Sequence, residues 1–232
     1  MGKFKKRLSI LAITAITVMT PLITLAYDFE ADGLYYNITS ADDLTVEVTY
    51  KYTGVNNYYI YSGDIEIPST VTNDGTTYSV TGIGISSFRG CSSLTSIIIP
   101  ESVDTISNYA FRGCSSLTYL TLPVSTHFTT YKSNTSYCPF EYSVITNITV
   151  TGEGDIADYA FYNFTALQNI SISDKVTSIG KYVFYRCSSL TNIVIPESIE
   201  SIGDYAFYNT SLVDITSNNT LPPTCASAKC FT

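Results

Sequence analysis

The chain has 232 residues and a formal net charge of −8, with 20 Asp and Glu against 12 Lys and Arg. An acidic protein repels phosphate backbones and anionic lipid surfaces, so the charge argues against nucleic-acid binding and against membrane-surface binding. The length accommodates one large domain or an array of repeats. The 20 tyrosines, with no tryptophan, are typical of β-structure.

The first 26 residues have the features of a secretory signal peptide. A basic cluster at residues 3–7 precedes the apolar run Leu8–Met19, and the small-residue exit Thr24–Ala26 follows Pro21. The run is short for a membrane span, which needs about 20 apolar residues. We therefore predict a signal peptide over residues 1–26, a secreted or cell-surface location, and no membrane span after cleavage. Cleavage leaves 8 Lys and Arg against 20 acidic residues, a net charge of −12.

Residues 27–79 contain short segments in which apolar and polar residues alternate, the pattern of half-buried strands. Turn signals at Ser62-Gly63 and Asp74-Gly75 separate some of them. We predict a small antiparallel β-sheet that caps the element after it. Its strands are expected at Leu34–Ile38, Leu44–Tyr50, Asp64–Ile67 and Thr77–Val80.

A pattern recurs down the chain from Val80 to about residue 217, and each copy is centred on a phenylalanine. The spacings between the six phenylalanines are 23, 29, 21, 23 and 23 residues. A period in the twenties with Leu or Ile at fixed offsets predicts a leucine-rich repeat solenoid, a mainly β fold. The phenylalanines are Phe88, Phe111, Phe140, Phe161, Phe184 and Phe207.

Each copy also carries an aliphatic triplet with leucine-rich spacing, such as Leu117, Leu120 and Leu122. The last two residues of a triplet point to the same side of a strand, so each coil of about 23 residues contributes one strand to a parallel sheet on the concave face. The phenylalanines are expected to form a buried column on the opposite wall. Residues 218–232 are an incomplete C-terminal segment. The strands should centre near Ile97, Leu120, Ile148, Ile170, Ile193 and Ile215.

Three of the six cysteines, Cys91, Cys114 and Cys187, share one repeat position. The other copies have Phe164 or Thr210 there, so the position favours a buried core filler over a disulfide. The spacing of Cys225 and Cys230 leaves a small disulfide loop open as an alternative. Nothing in the sequence assigns a mate to Cys138.

The outward residues of the predicted strands form the candidate binding site, which we call the sheet face. The repeat constrains the inward residues and leaves these free, and they are almost uncharged. The polar insertion Ser125–Tyr137 is expected to border Tyr119, and insertions in repeat arrays are often placed on a binding face. Stacked asparagines that simply hydrogen-bond one another are the structural alternative. The sheet face comprises Ser96, Ile98, Tyr119, Thr121, Asn147, Thr149, Asn169, Ser171, Asn192, Val194, Asp214 and Thr216.

A second outward stripe of tyrosines flanks the phenylalanines, and we interpret it as packing over the phenylalanine column. The residues are Tyr109, Tyr159, Tyr162, Tyr182, Tyr185, Tyr205 and Tyr208.

No pattern for catalysis, a metal or a cofactor stands out. The single histidine, His127, has no cluster of further ligands at workable spacing. The segment Asp28–Gly33 opens like a calcium loop, but Thr39 occupies the position of the closing acid. The sequence contains neither a phosphate-binding glycine loop nor a nucleophile elbow. We predict a protein that is not an enzyme and holds no cofactor.

The segments Ile202–Phe207 and Cys187–Ser198, with their copies, resemble the BspA-like leucine-rich repeat family, whose members are surface and secreted proteins. The resemblance covers residues 80 to about 216. It implies binding of an extracellular protein or glycan, with adhesion as one form. It also implies further β-structure after Pro222–Cys225, so that the end at Thr232 is expected to be a truncation. The alternative function is a structural protein that self-associates through its C-terminal end.

Overall fold

The computed structural model describes residues 27–51, 60–128, 139–140, 144–220, 222–227 and 229–231. The predicted signal peptide and Cys138 lie outside the described residues, as does most of the insertion Ser125–Tyr137. The described part contains 18 β-strands and no helix. The fold is a mainly β solenoid of stacked parallel sheets, which confirms the predicted fold class.

The N-terminal part forms a mixed sheet rather than the purely antiparallel one predicted, because β3 pairs parallel with β6. Strand β1 pairs with β2 and β2 with β3, both antiparallel, and a second antiparallel pair joins β5 to β6. The tight turn before β6 is made by Asp74 and Gly75, with φ of 47° and 80°. Asp28 accepts a hydrogen bond from the Ile38 amide at 2.7 Å, so its carboxylate ties β1 to β2. These strands are β1 Phe29–Ala31, β2 Leu34–Ser40, β3 Thr45–Thr49, β5 Thr70–Asn73 and β6 Thr76–Ile83.

The remaining strand of this region, β4 (Ser62–Glu66), differs from the prediction. It does not join this mixed sheet but pairs parallel with the first repeat strand, with Ile65 opposite Ile97. The predicted turn at Ser62-Gly63 is therefore the start of a strand. The alternating pattern fits either sheet, because a strand with one buried face has the same period in both.

The predicted repeat strands are all present and have the expected centres. In each neighbouring pair the aliphatic residues align, as in Leu120 opposite Ile148 and Ile148 opposite Ile170. The parallel sheet is divided, however: β4, β7, β9, β11 and β13 form one sheet, and β15 and β17 form another. The strands are β7 Ser93–Ile98, β9 Tyr119–Pro123, β11 Asn147–Thr151, β13 Asn169–Ile172, β15 Asn192–Ile195 and β17 Asp214–Ser217.

Each coil also has a second, shorter strand that the sequence analysis did not predict. These strands form another wall of the solenoid in two parallel groups: β8 and β10 continue the sheet that contains β6, and β12, β14, β16 and β18 form a separate sheet. With two to four residues each, they are too short to show a period of their own. They are β8 Thr105–Ile106, β10 His127–Phe128, β12 Gly154–Ile156, β14 Val176–Ile179, β16 Ser201–Ile202 and β18 Thr224–Cys225.

The six phenylalanines form the predicted buried column. The rings of Phe88 and Phe111 stack with centroids 4.9 Å apart, and Phe184 and Phe207 stack at 5.2 Å. Between Phe140 and Phe161 the column runs through Phe164, which replaces cysteine in that coil. The column is also longer than predicted, since Tyr61 packs on its first ring at 4.7 Å and Phe231 on its last at 5.1 Å.

The cysteine column is buried and reduced, as predicted for Cys91, Cys114 and Cys187. The Cys114 thiol donates to the Phe88 carbonyl oxygen at 3.0 Å, and the Cys187 thiol donates to the Phe161 carbonyl oxygen at 3.2 Å. Burial raises the pKa of Cys91 to about 11 and the pKa of Cys114 and Cys187 to about 12. Such thiols act as small apolar groups rather than nucleophiles. The other described cysteines, Cys225 and Cys230, are also free.

Candidate ligand-binding face

The sheet face consists of two straight rows of side chains that run across the parallel strands. Strand register fixes both rows within each of the two sheets, because residues two apart on a strand point to the same side. The first row contains Ser96, Tyr119, Asn147 and Asn169 in one sheet, with Asn192 and Asp214 in the other. The second row contains Ile98, Thr121, Thr149 and Ser171, with Val194 and Thr216. All twelve residues of the predicted face therefore lie in the two rows.

Three apolar side chains interrupt the polar rows. The exposed fraction is 44% for Ile98, 58% for Tyr119 and 52% for Val194. The strand neighbours of these residues, such as Ile97 and Leu120, are almost completely buried. The repeat therefore fixes the core side of each strand, while the outer side carries apolar groups that the fold itself does not need.

The asparagine ladder is shorter than the spacing in the sequence indicates. The Asn169 side-chain amide donates to the Asn147 carbonyl oxygen at 3.0 Å, and the Asn147 amide in turn donates to the Thr146 hydroxyl at 2.8 Å. Asn192 lies across the division between β13 and β15, so it belongs to a different sheet. The structural alternative therefore accounts for two of the three asparagines.

Acidic residues extend the face at its N-terminal end, which the sequence analysis missed. Because β4 pairs parallel with β7, Asp64 lies opposite Ser96 and Glu66 opposite Ile98. The Asp64 carboxylate accepts hydrogen bonds from Thr95 and Ser96 at 2.6 and 2.7 Å, and these bonds lower its pKa. With Asp214 at the other end, the face is neutral in its centre and acidic at both ends. The parallel pairing of β4 was the missing information, and the local sequence does not encode it.

The described part of the chain offers no other candidate chemistry. His127 is exposed on β10, opposite Thr105. Within the described ranges, no group of three or more His, Cys, Asp or Glu side chains is placed to hold a metal ion. None of the described residues forms a helix long and apolar enough to cross a membrane.

Comparison with known families decides the classification. The family model for the BspA type leucine rich repeat region matches six copies over residues 64–153 and 154–231. The chain belongs to the BspA-type leucine-rich repeat family. The match begins inside β4, in agreement with the place of that strand in the repeat sheet. Proteins of this family are repeat-based binding scaffolds.

Solved structures of bacterial leucine-rich repeat proteins are also similar to this chain. A leucine-rich repeat protein from Bacteroides ovatus is 26% identical over 80% of this chain, with a TM-score of 0.43. A leucine rich cell surface protein from Faecalibacterium prausnitzii is 23% identical over 87%, with a TM-score of 0.46. The pneumococcal vaccine antigen PcpA is 17% identical over 82% of this chain and 49% of its own length, with a TM-score of 0.51. The last similarity supports the fold alone.

The chain spans 58% of the length of the Bacteroides ovatus protein and 56% of the length of the Faecalibacterium prausnitzii protein. No curated protein matches the sequence.

Proposed function

We propose that the protein is a secreted or cell-surface binding module whose sheet face holds an extracellular protein. The observation that carries the proposal is the set of exposed apolar side chains, Ile98, Tyr119 and Val194, within rows of Asn, Ser and Thr on a regular sheet. Apolar anchors surrounded by neutral polar groups are the usual composition of a protein-binding surface. A preformed sheet loses little conformational entropy on binding. The extracellular location rests on the predicted signal peptide and the family.

Tyr119 is the expected anchor. It is the most exposed aromatic residue of the sheet face, and Asn147 and Asn169 follow it in the same row. A tyrosine offers a large apolar surface and a hydroxyl that can hydrogen-bond to the partner. Because the centre of the face is neutral, affinity should depend only weakly on salt; the acidic ends add a small preference for basic partners.

The test starts from an array of immobilised extracellular proteins and oligosaccharides probed with the whole chain. For any protein that binds, the Tyr119→Ala/Asn169→Ala double variant should lose at least about tenfold in affinity. Tyr208→Ala is the matched control, because this tyrosine is partly exposed but lies off the sheet face. A folded double variant that binds its partner as well as the wild type does would show that the site is elsewhere.

Self-association is a second candidate function, favoured by one observation. Ile215 is 43% exposed, whereas its equivalent on the neighbouring strand, Ile193, is 4% exposed. A second copy that pairs its β17 with this β17 would bury both Ile215 side chains. Size-exclusion chromatography over a range of concentrations should then show a dimer that Ile215→Asp converts to a monomer. A wild-type monomer at every concentration contradicts this function.

A further inference from the structure

A second surface, distinct from the sheet face, lies on the turns that carry the phenylalanines. Five coils have a described six-residue turn, and in four of them the residue two before the phenylalanine is a partly exposed tyrosine. We call this surface the turn edge; it comprises residues 85–90, 108–113, 158–163, 181–186 and 204–209. Its coils are joined by backbone hydrogen bonds, such as Phe184 N–H to the Ala206 carbonyl at 2.7 Å. The turn edge is therefore as regular as a sheet, although it contains no strand.

Two ladders of tyrosine rings cover the C-terminal half of the turn edge. In the first ladder Tyr182 stacks on its two neighbours at 4.9 and 5.1 Å, and in the second Tyr185 does so at 5.0 and 5.4 Å. The two ladders also contact each other, edge to face in two coils and with tilted rings in the third. The ladders are Tyr159, Tyr182 and Tyr205, and Tyr162, Tyr185 and Tyr208.

The residue two before the phenylalanine has a left-handed backbone in all five turns of the turn edge, including the first, where it is the buried Ser86 with φ of 59°. Tyr159, Tyr182 and Tyr205 have φ of 63°, 58° and 57°, and Tyr109 in an earlier coil has φ of 59°. The left-handed region costs a non-glycine residue about 1–2 kcal/mol. The same cost recurs coil after coil, and the rings remain partly exposed rather than buried in the core. Because Ser86 shares this conformation, the strain belongs to the turn of the repeat, and the tyrosines are carried on it.

Positive charge is concentrated on the same edge. Of the seven Lys and Arg residues in the described part of the chain, five lie on the turn edge or against its tyrosines, but only two of the nineteen described acidic residues, Asp158 and Asp204, do so. The rest of this acidic protein therefore repels anions, and the turn edge attracts them. The five basic residues are Arg89, Arg112, Lys181, Arg186 and Lys229.

Aromatic rings hold several of these cations in place. The Arg112 guanidinium lies 5.1 Å from the Tyr109 ring centroid, and the Arg186 guanidinium lies 5.5 Å from that of Tyr185. Lys229 lies 5.5 Å from the Tyr205 ring centroid. Cation–π contacts already restrict these long side chains in the free protein, so less conformational entropy is lost when a ligand binds.

The spacing of the turn edge selects the kind of ligand. Its groups recur about every 5 Å along a straight line, the distance between stacked coils. Side chains on one side of an extended peptide recur about every 6.6 Å, so a peptide loses register after a few residues. In a β-1,4-linked pyranose chain each sugar advances by about the height of one coil and is turned over relative to the last, so groups on one side recur about every second coil and the chain keeps register with the solenoid. Tyrosine hydroxyls donate and accept hydrogen bonds, as sugar hydroxyls do.

We propose that the turn edge binds a linear, carboxylate-bearing β-1,4-linked polysaccharide, which lies along the solenoid with about one sugar per coil. The tyrosine ladders contact the sugar hydroxyls, and Arg186 and Lys229 bind the carboxylates. This function goes beyond the binding of a protein by the sheet face, and neither surface requires the other.

The experiment measures binding of the whole chain to a mannuronate oligomer by calorimetry at low salt. A neutral β-1,4-mannan oligomer of the same length is the matched ligand, because it keeps the linkage and lacks the carboxylates. The mannuronate oligomer should bind at least about tenfold more tightly than the mannan, and its affinity should fall as salt is raised. Absence of mannuronate binding, or equal affinity for the two oligomers, overturns the proposal.

Protein variants then locate the site. Arg186→Gln/Lys229→Gln should weaken mannuronate binding about tenfold. Lys51→Gln/Lys175→Gln makes the same change in net charge off the turn edge, and Lys51 also lies over a tyrosine ring, at 5.4 Å from Tyr35. This control pair should change the affinity less than about twofold. Equal losses in the two double variants would show non-specific attraction and overturn the proposal.

Three further measurements separate the possible outcomes. Tyr185→Phe keeps the stacked ring and removes the hydroxyl, so it should weaken binding while leaving the fold intact. A polyglutamate peptide of the same charge as the oligomer should bind more weakly, because its spacing does not match; equal affinity would assign the edge to acidic peptides and overturn the proposal. Tyr119→Ala on the sheet face should leave mannuronate binding unchanged, so that failure of one proposal is distinguishable from failure of the other.

Discussion

The repeat strictly constrains the turn edge with its phenylalanine column. It leaves the sheet face free to vary. Along the column, rings stack at about the same distance in almost every coil, from Tyr61 to Phe231. On the sheet face, the side chains change from coil to coil, and the sheet itself is divided between β13 and β15. The column is one continuous stack of rings, whereas each outward residue of the sheet face differs independently from coil to coil.

This difference separates stability from recognition. A coil cannot bury its own apolar edge, so the buried positions must match from coil to coil. The outward positions have no such constraint, and they vary without cost to the fold. Substitutions in the column should therefore change stability, and substitutions on the sheet face should change binding alone.

The largest expected effect is the loss of a ring from the column. Phe161 is 2% exposed and packs between Phe164 and Phe184. Phe161→Ala should lower the free energy of unfolding by about 3–5 kcal/mol, the usual range for a buried phenylalanine. Urea denaturation followed by circular dichroism measures the change. A loss below about 1 kcal/mol would mean that the column is not the core of the solenoid.

The second-largest expected effect is a loss of stability on substitution of Gly203, the glycine that precedes the turn in the repeat motif. A Cβ at Gly203 would lie 2.6 Å from backbone atoms of Gly180 and Lys181 in the previous coil. Backbone atoms of a stacked coil cannot move without displacing the coil. Gly203→Ala should therefore cost about 3 kcal/mol, at the upper end of the range for overpacking.

Gly33→Ala and Gly203→Ala separate two causes of destabilisation, backbone strain and steric overlap between coils. Gly33 has a φ of 79° and no atom within 4 Å of the position that a Cβ would occupy, so its substitution reports backbone strain alone. Gly203 has no such φ, so its substitution reports the close approach of two coils. Thermal denaturation of both variants measures the two costs. If Gly203→Ala is no more destabilising than an exposed substitution, the coils are not packed as tightly as the structure shows.

Much of this fold was predictable from the sequence because each core contact recurs at the same repeat position in successive coils. The phenylalanine column, the strand centres and the buried cysteines all follow from a position that is repeated in successive coils. The short second strands and the parallel pairing of β4 were not predictable, because two to four residues show no period and an alternating strand fits either kind of sheet.

The cysteine column predicts a loss of stability at alkaline pH. The pKa of Cys114 and Cys187 is raised to about 12 from the usual thiol value near 9, because burial disfavours the thiolate. A group whose pKa is raised on folding contributes its full stability below the unfolded value, and the contribution is lost as pH rises towards the folded value. Each thiol should therefore cost about 2 kcal/mol by pH 10.5.

Urea denaturation between pH 8 and 10.5 measures this loss. Cys187→Ala is the matched variant: it is less stable at neutral pH, but its stability should fall less steeply with pH because one titrating thiol is gone. Thiol labelling of the denatured, unreduced protein should also count at least Cys91, Cys114 and Cys187. A disulfide between Cys91 and Cys114 in mass spectrometry would contradict the assignment of core thiols.

The candidate site was less predictable than the fold. The sequence placed the residues of the sheet face in rows, since strand register follows from the repeat. It did not give the acidic end at Asp64 and Glu66, which depends on a pairing between distant segments. The tyrosine ladders were interpreted as packing over the phenylalanines, because a sequence shows neither a left-handed backbone nor rings that stack on each other.

The smallest expected effect is on the sheet face, and it decides whether binding experiments there can be interpreted. Tyr119→Ala and Asn169→Ala should each change the free energy of unfolding by less than about 0.5 kcal/mol, as exposed substitutions usually do. Asn169 loses only one exposed hydrogen bond, to Asn147. The matched control is Ile148→Ala, on the strand between them but pointing inward and 2% exposed, which should cost about 2–5 kcal/mol. If Tyr119→Ala proves as costly as Ile148→Ala, Tyr119 supports the fold, and a loss of binding in that variant does not locate the ligand.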